Sequence, residues 1–230
     1  MARYIFSAIT ATCSAITATA LVTLATLAGC DVGSVNGPVN VAAGQNAGDV
    51  ATVNGEVNVS DGATVGSAMT VNGSVTLGSN VIARTVKTVN GAVKLGDASK
   101  VSGSVQTVNG ALVLAKGADV GGGLTNVNGP ISLTSAHVTG GISTVNANID
   151  VGAGSHVEGG IHFDKSDFAT ENGHKHLPRI VIGPGAVVDG PLRFEREVRL
   201  YVSDSATVNG PIEGATAQKF SGDSPPPDGV

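Results

Sequence analysis

Tryptophan is absent from this chain of 230 residues, aromatic residues amount to 3%, and none occurs between Asp31 and His162. An interior built without rings is narrow and takes Val, Ile, Leu and Ala. Charge is sparse too, at 13%, which leaves Thr, Ser, Asn and Gly to cover the surface. The basic residues form no cluster and the formal net charge is −5, a balance that argues against nucleic acid as a partner. Cysteine is limited to Cys13 and Cys30. Glycine is plentiful instead, at 33 residues.

One tetrapeptide recurs: Thr52-Val53-Asn54-Gly55, Thr70-Val71-Asn72-Gly73, Thr88-Val89-Asn90-Gly91 and Thr107-Val108-Asn109-Gly110. Variants follow at Asn126-Val127-Asn128-Gly129 and Thr144-Val145-Asn146-Ala147, and Ser34-Val35-Asn36-Gly37 precedes. Successive copies are 18, 18, 18, 19, 19 and 18 residues apart. So regular a step means one unit stacked on itself. Between copies the apolar residues fall in pairs two apart, such as Val57/Val59 with Ala63/Val65 and Leu112/Leu114 with Ala118/Val120. That is the strand period, and the Gly, Asn, Asp and Ser between pairs are turn residues. About 18 residues carrying three inward pairs describe a three-sided coil of roughly six residues per side. The fold class is therefore all-β, a parallel β-solenoid, and every coil has enough apolar residues to exclude disorder.

Stacking places Asn54, Asn72, Asn90, Asn109, Asn128 and Asn146 in one column, with Asn36 before them. Amides about 4.8 Å apart can hydrogen-bond along it, which predicts a structural ladder. The glycine after each Asn is expected to serve a corner at positive φ. Ala147 breaks that glycine column, so its corner should differ. Thr52, Thr70, Thr88, Thr107, Asn126 and Thr144 are expected to form an outward stripe beside the ladder.

The first thirty residues are of another kind. Arg3 precedes a run rich in Thr, Ala and Leu, and no acid appears before Asp31. Residues 1–29 read as a secretory signal peptide. The junction Leu27-Ala28-Gly29-Cys30 resembles the bacterial lipoprotein box. The resemblance implies cleavage before Cys30 and acylation (palmitate) of that thiol and of the new N-terminus, so the partner is a membrane reached through a lipid anchor. Asp31 after the lipidated Cys implies inner-membrane retention by the enterobacterial sorting rule. Cleavage would leave 12 basic and 18 acidic residues, a net −6, and a single Cys with no internal disulfide or thiolate metal site.

Residues 30–34 then form the lipidated Cys and a short tether, and 35–161 the regular solenoid, about 30–35 Å long at one strand spacing per coil. Residues 162–179 interrupt the period with charges and aromatics. They read as an inserted loop, with Phe163 expected in the core slot that Val145 holds one coil earlier. Residues 180–215 resume as irregular coils. Ala206-Thr207-Val208-Asn209-Gly210-Pro211-Ile212 matches Ala186-Val187-Val188-Asp189-Gly190-Pro191-Leu192 at an offset of 20. Residues 193–201 read as one strand, and 216–230 as a disordered tail.

Coils of about this length carrying Gly-x-Ala-x-Val-x-Gly resemble bactofilins, polymer-forming β-helix proteins of bacteria, across residues 35–215 in pattern. The resemblance implies a right-handed triangular β-helix that associates end to end. Bactofilins lack an export signal, which this chain has. Hexapeptide-repeat acyltransferases share the coil length with left-handed winding.

Function would lie on outward columns. One runs Thr64, Ile82, Lys100, Asp119, His137, His156. Two imidazoles about 5 Å apart could share Zn²⁺, but no third ligand is assured, and this face reads as solvated. His162, His174 and His176, near Asp164, Asp167 and Glu171, read as exposed decoration. The Thr stripe resembles the Thr arrays of ice-binding solenoids. For an acyl-transfer enzyme His137, His156 or His162 would be proposed, and paired carboxylates over a cleft would mark a carbohydrate-active one. Neither pattern is marked, so no catalytic residue, metal or cofactor is assigned. The expected function is a lipid-anchored structural or interaction solenoid of the bacterial cell envelope, with itself or an envelope protein or glycan as partner. An adhesin-like or ice- or glycan-binding surface and an envelope carbohydrate-active or acyl-transfer enzyme are the alternatives.

Overall fold

A computed structural model describes residues 32–165 and 177–225. The signal segment, Cys30, Asp167, Glu171, His174, His176 and residues 226–230 lie outside them. The described chain is a parallel β-solenoid of three sheets, with about 19 residues per turn and no helix. No helix among these residues is long and apolar enough to cross a membrane. Each coil contributes one strand to each sheet in turn. The first face holds ten strands, from Val32–Asn36 and Val50–Asn54 to Ile212–Glu213. The second also holds ten, from Val39–Val41 to Ala217–Phe220. The third holds seven two-residue strands, from Ile82–Ala83 to Thr207–Val208, and the bridges Asn46↔Thr64 and Thr64↔Ile82 extend it. Ten strands at about 4.8 Å make a rod roughly 43 Å long.

The interior is filled by the alternate residues of each short strand. On the second face the pairs are Val57/Val59, Val75/Leu77, Val93/Leu95, Leu112/Leu114, Ile131/Leu133 and Ile149/Val151, all buried. The third face supplies smaller ones, such as Ala63/Val65, Ala118/Val120 and Ala136/Val138. Each such Val or Leu contributes roughly 1.5–3 kcal/mol by leaving water. The side chains grow bulkier along the rod until Phe163 and Phe194, both buried, lie with centroids 6.4 Å apart.

On the first face the parity is the reverse of the sequence expectation. Thr52, Thr70, Thr88, Thr107, Asn126 and Thr144 are buried, whereas Val53, Val71, Val89, Val108, Val127 and Val145 face outward, half-buried. Strand alternation counts from Val50, Ala68, Val86, Val105, Leu124 and Ile142, which are inside, so the residue two later is inside too. Phe163 accordingly pairs with Thr144 rather than taking the place of Val145.

The Asn-Gly corner also has another cause. Of its glycines only Gly37 and Gly129 have positive φ, 139° and 123°. A Cβ on Gly73 would instead run into the carbonyl of Gly55, and one on Gly91 into that of Gly73. Close approach between stacked corners demands glycine here. The left-handed corner is the next one, between the second and third faces. It holds Gly44, Gly62, Asn80, Ala98, Gly117, Ser135, Gly154 and Gly185, with φ from 45° to 73°. Three non-glycine residues in that column show that the stack imposes the conformation on whatever residue falls there.

The inserted segment leaves after the strand Ile161–Phe163 and returns at Arg179–Ile182, so His162, Phe163 and Arg179 belong to the rod. It occupies the place of an Asn-Gly corner. Ile161 pairs with Leu192 and Ile149 with Ile180, so the sheets continue across it. Residues 193–201 are not one strand: Leu192–Phe194 and Arg199–Ser203 lie on different faces, separated by the same kind of corner. Residues 217–220, expected in a tail, form a strand paired with 200–203, and Phe220 is buried. Ala217 of this strand packs against the core of the rod.

Candidate functional site

Three outward features stand out from this frame: the asparagine column, the two ends, and a cluster of charged side chains on the third face. In the column each side-chain Nδ2 donates to the Oδ1 of the Asn one coil earlier. Asn54 bonds Asn36 and Asn72 bonds Asn54 at 2.9 Å, Asn90 bonds Asn72 and Asn109 bonds Asn90 at 3.0 Å, and Asn128 bonds Asn109 at 3.1 Å. The last rung, Asn146 to Asn128, lengthens to 3.4 Å beside Ala147. All donors point the same way along the rod, so each amide polarises the next.

The buried threonines run a second ladder behind the first. Thr52, Thr70 and Thr88 donate to the carbonyls of Gly37, Gly55 and Gly73 at 2.9 Å, and Thr107 to that of Gly91 at 3.0 Å. Their hydroxyls are satisfied within the corner, which is why a polar residue is tolerated inside. A stripe that faces inward cannot meet ice, so the ice-binding reading loses these residues.

The third face holds the most chemistry. Register confirms the column Thr64, Ile82, Lys100, Asp119, His137, His156 and continues it to Val187 and Thr207. The rings of His137 and His156 lie 5.3 Å apart. His137 Nδ1 is 2.8 Å from Asp119 Oδ1, and its Nε2 is 2.9 Å from Glu158 Oε1. His156 Nε2 is 2.6 Å from Asp189 Oδ2, and Asn209 Nδ2 donates to the other oxygen of Asp189 at 2.7 Å. The hydrogen bond to Asp119 raises the His137 pKa above the ordinary imidazole value; Glu158 adds to this and partial burial opposes it. The carboxyl of Asp189 is held below its usual range by the bonds from His156 and then Asn209. His137, His156 and Glu158 each offer a ligand atom within 4.8 Å of the others.

Sequence reasoning found both histidines and Asp119 but missed Glu158, Asp189 and Asn209. The signal was present: a strand repeats its face every two residues, so Glu158 must stand beside His156. Of the other cluster, His162 Nε2 meets Asp164 at 2.9 Å and Glu195 at 3.8 Å. Set against protein-family models, curated proteins and solved structures, the chain matches none of them.

Proposed function

We propose that this protein is a lipid-anchored structural rod of the bacterial cell envelope, which associates through its ends in the manner of the bactofilin-like solenoids its repeat resembles. The observation that carries the reading is the form of the ends. Among the described residues Val32–Asn36 and Val39–Val41 have a sheet partner on one side only, as does Ala217–Phe220. Such edges accept another parallel coil through main-chain hydrogen bonds. Val35 at the first edge is 58% exposed, an apolar contact for that partner. Cys30 lies two residues before the first strand, so acylation there would stand the rod close to the bilayer.

Electron microscopy of the purified full chain in detergent, at rising concentration, tests the association. The expected outcome is filaments whose length grows with concentration; single rods at every concentration would refute it. Labelling cells with radioactive palmitate tests the anchor separately. Wild type should incorporate label and Cys30→Ser should not, and equal incorporation would remove the lipid from the proposal.

A further inference from the structure

We propose that His137, His156 and Glu158 bind one Zn²⁺ on the third face, with Asp119 and Asp189 as the outer carboxylates that orient the two imidazoles. The inference is independent of the envelope role.

The ligand set comes first. Two imidazole nitrogens and one carboxylate suit Zn²⁺ better than Ca²⁺ or Mg²⁺, which take oxygen shells. The separation of 2.9 Å between His137 Nε2 and Glu158 Oε1 is close to the edge of a Zn²⁺ coordination tetrahedron, about 3.3 Å for bonds of 2.0–2.1 Å. The ligand atoms all lie within 4.8 Å of one another, and binding would draw the wider gaps in by side-chain torsion. A water would take the fourth position from the solvent side.

The outer groups are already placed. Metal-bound histidines usually have their second nitrogen held by a carboxylate or carbonyl. Asp119 does this at His137 Nδ1, leaving Nε2 turned to Glu158. Asp189 does it at His156 Nε2, and is itself held by Asn209. The other ring nitrogen of His156, Nδ1, has no hydrogen-bond partner among the described residues and is the atom that would take the metal. Three carboxylates around two imidazoles also leave a surplus of negative charge, which a divalent cation offsets.

Finally, the scaffold is stiff. The amides of His137, His156 and Glu158 donate to Ala118, Ala136 and Val138 of the preceding coil, each at 2.9 Å. His137 therefore stands one rung before His156 and Glu158, which share a rung, and little backbone order has to be created on binding.

The test is calorimetric titration of the chelator-treated full chain with ZnCl₂, beside the His156→Ala, Glu158→Gln, Asp119→Asn and His174→Ala/His176→Ala variants. Far-UV circular dichroism serves as a check that each metal-free variant keeps its strands. Wild type should bind one Zn²⁺ per chain and melt at a higher temperature with the metal than without. His156→Ala and Glu158→Gln should lose affinity at least tenfold, and Asp119→Asn by about 10–100-fold. The His174→Ala/His176→Ala variant should bind as wild type does. With Co²⁺ as the probe, wild type should show the visible absorption of a low-coordinate site and Glu158→Gln should not. Absence of saturable binding, an affinity unchanged in His156→Ala, or binding lost in His174→Ala/His176→Ala would each overturn the proposal.

Discussion

Thr70 and Thr144 hold the same position in two coils of one rod, both are buried, and only the hydroxyl of Thr70 has a hydrogen bond. The difference lies one coil earlier. Where the regular coils have Thr, the coil before Thr144 has Asn126, whose Nδ2 donates to Gly110 at 3.1 Å and also to Gly129 at 2.8 Å. Gly129 is the carbonyl that Thr144 would use if it followed Thr70, which uses Gly55. Thr144 Oγ1 is left without a partner, and so is Asn126 Oδ1. Burial at a repeat position is thus set by the coil itself, whereas satisfaction is set by the neighbour. Ala147 adds to the disturbance, and the longest ladder rung and the long bond from Gly129 N to Asn146 O, both 3.4 Å, fall at the same corner.

The contrast can be broken most severely in the regular region. Val93→Asp puts a carboxylate in an interior with no cation to meet it and should cost more than about 4 kcal/mol. Lys94→Ala, one residue away on the outer side, should leave the urea midpoint where it is. Equal midpoints for the two variants would contradict the stacked register. Next comes the corner. Gly91→Ala drives a Cβ into the Gly73 carbonyl and should cost about 1–3 kcal/mol, while Ala147→Gly should cost much less. A similar loss in both would mean that the two corners do not differ.

Two smaller effects sharpen the comparison. Asn126→Thr should keep the bond to Gly110 through its hydroxyl, free Gly129 for Thr144 and remove an unsatisfied oxygen. The expected gain is about 1–2 kcal/mol, read as a raised melting temperature. Thr70→Val should cost about 1 kcal/mol for its lost hydrogen bond, whereas Thr144→Val should be neutral or slightly stabilising. The reverse order in thermal melts would show that the Thr144 hydroxyl has a partner after all.

Much of this fold can be read without coordinates. The 18- and 19-residue steps reveal the stacking, the pairs two apart reveal the second and third faces, and the Asn column follows from the register. The parity of Thr and Val does not. Side-chain polarity points Thr outward, and only the glycine carbonyls of the adjacent coil, invisible in one dimension, make the inside acceptable to a hydroxyl. The left-handed corner escaped for a similar reason. Asn80, Ala98 and Ser135 share no residue type with Gly62 or Gly117, so no motif marks the column. Glu158 escaped for want of counting two residues on from His156, since the strand period already placed it there.

The break between Phe163 and Arg179 carries a lesson for engineering. Because Ile161 still meets Leu192 and Ile149 still meets Ile180, a longer connection at this vertex leaves the courses above and below undisturbed. A foreign peptide or small module spliced into that vertex should therefore be displayed sideways, at a height along the shaft fixed by the number of turns beneath it.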